Sequence, residues 1–105
     1  MRRRWLTAVL KRIHELAAQG RVRFTLKAFQ ELAALDTGLD EKDAQLVLAS
    51  VAAGDFVERM ASEKTGEWMY VFKPRIGEVI VYVKGIVRNN CVVVSFHEDQ
   101  ADEDI

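Results

Sequence analysis

An α+β domain, with N-terminal helices packed on one face of a C-terminal antiparallel β-sheet, is the fold class this sequence predicts. Three observations carry it. The apolar residues recur with helical spacing as far as Gly54, they alternate with a period of two beyond it, and the β-like runs are joined by very short connections.

The first helix spans Trp5 to Ala18, where apolar residues at 5, 6, 9, 10, 13, 16 and 17 share one face and Gly20 stops the chain. The segment 21–24, Arg-Val-Arg-Phe, reads as a brief extended piece. Thr25 caps a second helix that places Ala28, Phe29, Leu32 and Leu35 on one face and ends near Gly38. Asp40 caps a third, with Ala44, Leu46, Val47 and Val51 apolar, ending at Gly54. Four strands follow at 56–62, 67–73, 78–88 and 91–97, rich in Val, Ile, Phe, Tyr and Trp. Lys64-Thr65-Gly66, the loop from Pro74 to Gly77, and Asn89-Asn90 separate them. Such short links join antiparallel neighbours, so the strands form a meander.

Composition bounds the function classes. The 105 residues make one domain, 1–105, that buries a modest core without disulfides. The lone cysteine, Cys91, has no internal partner and no Cys/His spacing that reads as a zinc site, so no metal or cofactor is expected. No apolar run approaches membrane-spanning length, and Lys11, Arg12 and His14 interrupt the N-terminal region where a signal-peptide core would lie. A cytoplasmic location, with no membrane partner, is the resulting expectation. The net charge of −1 is unevenly spread: residues 1–30 hold eight bases and one acid, and residues 31–58 hold seven acids and one base. The former can give a nucleic-acid footprint, or Arg2 to Arg4 simply solubilise a terminus. The acidic segment 98–105 is expected to be a frayed, solvated tail. His14 reads as a surface residue, and Trp5 and Trp68 read as core.

Turn lengths set the register, and register decides which side chains meet. A two-residue Asn89-Asn90 turn pairs Arg88 with Cys91, Lys84 with Ser95 and Tyr82 with His97. A four-residue loop from Pro74 to Gly77 pairs Lys73 with Glu78, Met69 with Tyr82 and Glu67 with Lys84. Alternation then sorts the faces. Trp68, Tyr70, Phe72, Val79, Val81, Val83, Val87, Val92, Val94 and Phe96 fall on the face that packs against the helices. The opposite face carries Glu67, Met69, Val71, Ile80, Tyr82, Lys84, Val93, Ser95 and His97. Directly opposed residues have Cβ atoms roughly 4.5–5.5 Å apart, so Tyr82 and His97 are close enough to act together. A structural reading stands beside that one: Tyr82 as a sheet aromatic, Lys84 as a partner of Glu67, His97 as an exposed strand end.

Four segments together carry a family resemblance: Asp55-Phe-Val-Glu-Arg-Met60, Glu67-Trp-Met-Tyr-Val-Phe-Lys-Pro-Arg75, Val81-Tyr-Val-Lys84 and Val92-Val-Val-Ser-Phe-His-Glu98. With Leu35-Asp-Thr-Gly-Leu-Asp40 before them, they resemble the motility quorum-sensing regulator (MqsR) family of toxins over roughly 21–98. The resemblance implies a RelE-like toxin fold, endoribonuclease activity on mRNA, and neutralisation by a cognate antitoxin. The family's catalytic tyrosine falls on Tyr82, and its C-terminal catalytic lysine falls on His97. The family often has lysine where this chain has Glu58, with Arg59 beside it, and glutamine where it has Met69.

The substituted site keeps a workable chemistry. Metal-free RNA cleavage needs a base for the 2′-hydroxyl, an acid for the leaving 5′-oxygen, and cations for the phosphorane. His97 serves as acid/base, because an imidazole ordinarily titrates near neutrality. Lys84 and Arg59 stabilise the phosphate charge, and Tyr82 positions a phosphate oxygen or stacks on a base. Arg59 falls on the helix-packed face by strict alternation, and a bulge would reverse that. Lys73, Arg75, Ser95 and Met69 are the expected substrate contacts. The runner-up is a non-catalytic RNA- or protein-binding module. The expected partners are mRNA and an antitoxin with a DNA-binding helix-turn-helix.

Overall fold

The computed structural model describes residues 3–35 and 38–99. Arg2, the Asp36-Thr37 pair and the acidic tail from Gln100 onward lie outside them. Helix α1, Arg4–Ala18, buries Leu6, Ile13, Leu16 and Ala17. Gly20 ends it at φ +72°, where the Gly20 N–H donates to Ala17 O and the Arg21 N–H to Leu16 O. That left-handed step is open to glycine at little cost. Strand β1, Val22–Phe24, follows. Helix α2, Leu26–Ala34, starts on Thr25, whose Oγ1 accepts the Ala28 N–H at 3.1 Å. It ends four residues short of Gly38, because Leu35 turns extended and packs against the core.

Helix α3, Glu41–Ser50, opens with a reciprocal cap in which Asp40 and Asp43 each accept the other's backbone N–H. It ends before Gly54, and a short 3₁₀ turn, Ala53–Asp55, leads into the sheet. His14 is no free surface residue: its Nε2 donates to Val51 O at 2.6 Å and ties α1 to the end of α3.

Five more strands follow: β2 (Phe56–Ala61), β3 (Trp68–Phe72), β4 (Arg75–Ile76), β5 (Val79–Val87) and β6 (Cys91–Glu98). The sheet order is β1-β6-β5-β3-β2, with β4 paired to β5. The expected α+β arrangement and the meander of the long strands are present. The sheet is mixed rather than wholly antiparallel, because β1 lies parallel to β6, with Val22 opposite Cys91. A parallel neighbour needs a long crossover, and residues 25–90, with two helices and four strands, lie between these two strands.

Two turns differ from expectation. Pro74 to Gly77 is not a loop: Arg75 pairs with Ile80 and Ile76 with Val79, around a two-residue turn whose Gly77 has φ +62°. The β3–β5 register therefore moves by four residues. Met69 faces Ile86 rather than Tyr82, and Glu67 does not face Lys84. An even shift keeps every side chain on its expected face. At the other hairpin Val87 pairs with Cys91, so the turn has three residues, 88–90. The register then shifts between Lys84 and Gly85, with Val94 as the extra residue of β6. Val93 and Cys91 consequently enter the core, while Val92 and Val94 leave it.

The core lies between the helices and one sheet face. Leu16, Leu48, Phe72, Val81, Val83 and Phe96 are fully buried there. No described helix is long and apolar enough to cross a membrane.

Candidate active site on the open face of the sheet

Strands β5 and β6 present the reactive side chains. Tyr82 lies opposite His97 and Lys84 opposite Ser95, the two pairings that the Asn89-Asn90 reading required. The bulge at Val94 sits between them and the turn, so it absorbs the extra turn residue before it reaches the site.

The Tyr82 and His97 rings stack almost parallel, with centroids 4.9 Å apart and 9° between planes. His97 Nδ1 lies 2.8 Å from Glu98 O. A carbonyl oxygen only accepts, so Nδ1 carries a proton and Nε2 holds the lone pair of the neutral ring. Burial, with help from the Glu58 and Asp99 carboxylates, raises Tyr82 above an ordinary phenol. The phenol therefore stays protonated near neutrality, a hydrogen-bond donor and not a base. Lys84 Nζ lies 5.9 Å from the Tyr82 ring centroid, and Lys84 forms no ion pair among the described residues. Its expected partner, Glu67, is held by Arg88 through both carboxylate oxygens. That hydrogen-bonded pair lowers Glu67 to about 2.

The other expected contacts divide. Lys73 follows β3 on the Tyr82 side of the register, but its ammonium pairs with Asp99 at 3.4 Å. Asp99 is thus not part of a frayed tail: its N–H also donates to Ile80 O. Arg75 lies in β4 across from Ile80, with its Nε donating to Gly77 O. Met69 sits further along the open face, where it lines a cavity of about 500 Å³ with Met60, Ile86 and Val94.

Arg59 is not brought to the site. It lies opposite Tyr70, on the helix side of the sheet, with its guanidinium 4.1 Å from the Trp5 ring centroid and 4.0 Å from that of Trp68. A bulge does exist in β2, but it falls at Val57, upstream, and lets Phe56 turn into the core. Glu58 lies opposite Val71, on the open face. Trp68 belongs to this cation–π stack, not to the core, and is 45% exposed.

Two site residues escaped the sequence reading, Lys27 and Glu31 of α2. Glu31 Oε1 accepts the Phe96 N–H at 2.9 Å, capping the free edge of β6 beside His97. Its Oε2 holds Lys27 Nζ at 3.1 Å, and Lys27 donates to Ser95 Oγ at 2.9 Å. Burial tends to raise the Glu31 carboxyl, but the Phe96 N–H, Lys27 and the nearby His97 together hold it below its ordinary value. The i,i+4 spacing of Lys27 and Glu31 was visible in the chain, while their approach to β6 was not. No cluster of three His, Cys, Asp or Glu side chains suited to a metal ion occurs among the described residues.

A family model described as "Motility quorum-sensing regulator, toxin of MqsA" matches residues 7–98 of the 105-residue chain. No curated protein matches it.

Proposed function

Because the chain belongs to the motility quorum-sensing regulator family of toxins, we propose that this toxin is a sequence-selective, metal-independent endoribonuclease. It cleaves mRNA, stops translation and growth, and is neutralised by a cognate antitoxin of a type II toxin–antitoxin system. A DNA-binding, helix-turn-helix antitoxin and a cytoplasmic site of action complete the reading.

The observation that carries it is the Tyr82–His97 stack with the imidazole held by Glu98 O. Nε2 of His97 takes the proton of the RNA 2′-hydroxyl as that oxygen attacks phosphorus. The P–O5′ bond breaks, a 2′,3′-cyclic phosphate forms, and the imidazolium returns its proton to the departing 5′-oxygen. Lys84 balances the added charge on the phosphorane, and the protonated phenol of Tyr82 donates to a phosphate oxygen. Glu58 adds a negative charge to the same face, which favours an RNA approach from the β6 side rather than the β2 side.

Induced expression provides the test. The wild type is expected to arrest growth and degrade mRNA, and His97→Ala is expected to do neither. Equal harmlessness, with no RNA cut, would exclude an enzyme and favour a binding module that keeps the toxin fold.

A further inference from the structure

The open face holds more positive charge than one phosphate requires, and the second cation comes from a helix. Lys27 is the second residue of α2, yet its Nζ lies 2.9 Å from Ser95 Oγ, across the sheet row that also holds Lys84. It is also within 3.5 Å of Val94 O, the carbonyl of the bulged residue. Ser95 is 3% exposed and is the one buried polar side chain among the described residues. Its hydroxyl oxygen accepts from Lys27, and its own proton finds no protein acceptor among the described residues. The hydroxyl is thus partnered as an acceptor, and its single donor remains available.

We propose that Lys27, Ser95 and Lys84 form a second phosphate-binding subsite, which grips a phosphodiester next to the scissile one. The inference rests on the ribonuclease reading and names part of its substrate site. Tyr82 and Lys84 are two residues apart on one face of β5, a rise of roughly 7 Å. A phosphate between Lys84 and Lys27 is thus displaced along the strand from one held at Tyr82 and His97. Glu31 does not abolish the charge of Lys27. One of its oxygens is committed to the Phe96 N–H, and the Lys27 side chain remains 62% exposed to an incoming anion. Glu31 instead keeps Lys27 in place, so little side-chain freedom is lost when RNA binds. The serine proton then finds its acceptor in a phosphate oxygen.

The test is binding of a short single-stranded RNA of mixed sequence, 2′-O-methylated so that it cannot be cleaved, over a range of salt. Lys27→Gln keeps a donor for Ser95 but removes the charge. It is expected to weaken binding roughly tenfold or somewhat more, the lower end of the range for one hydrogen bond to a charged group. It is also expected to reduce the slope of log affinity against log salt by about 0.7, the value of one phosphate contact on a single strand. Lys27→Arg is expected to restore both. An unchanged slope in Lys27→Gln, with wild-type binding intact, would overturn the subsite and leave the ribonuclease reading in place. A wild type that neither binds this RNA nor cleaves its unmethylated form would overturn both.

Discussion

His97 and Tyr82 share one stack, so substitutions at the two positions have separable effects. His97→Ala removes the proton-transfer group, and cleavage is expected to fall by ~10²–10⁴-fold. Tyr82→Phe keeps the ring on the imidazole and loses only the donor. A smaller loss is expected, read mainly in turnover, because the phenol is protonated across the neutral range. Arg59 makes the contrasting case. Its guanidinium lies between two indoles on the helix side, so Arg59→Ala is expected to destabilise the fold by about 1–2 kcal/mol while activity per folded molecule is unchanged. Thermal melting alongside a cleavage assay separates the two effects. Burial pushes the Cys91 thiol up to about 12, so alkylation is expected to be very slow in the folded protein at pH 8 and fast after denaturation.

Two turns decide how the strands meet. Gly77 adopts φ +62° between β4 and β5, so Gly77→Ala is expected to cost about 1–2 kcal/mol in denaturant unfolding. The Arg88–Glu67 pair closes the far end of the same meander. Folding lowers Glu67 from 4.5 to about 2, so its contribution is fully present above about pH 4.5 and fades as pH falls toward 2. Arg88→Ala is expected to flatten stability across that window. These elements also show what the chain made legible. The period-two patterning placed Tyr82, Lys84, Ser95 and His97 on one face, and an even error in the β3–β5 register left that result intact. The bulge at Val94 was hidden, because Val92, Val93 and Val94 are identical and no alternation marks the extra residue.

Across the whole molecule, what stayed illegible was contact between distant segments. Lys27 and Ser95 are 68 residues apart, and only the packing of α2 on the β6 edge joins them. Local periodicity places each on its own element and says nothing of the docking between the two. For Arg59, alternation already pointed to the helix-packed face, while its enclosure by Trp5 and Trp68 depends on the docking of α1 and was not legible. Family membership adds what physics alone does not: a toxin with an antitoxin to match. The central claim, that the Tyr82–His97 stack cleaves RNA by side-chain acid–base chemistry, is tested most directly by incubating purified protein with unstructured RNA in excess EDTA. Cleavage to 2′,3′-cyclic phosphate ends by the wild type, reduced at least a hundredfold in correctly folded His97→Ala, is the predicted result. Equal cleavage by both proteins, or none by the wild type, would contradict it.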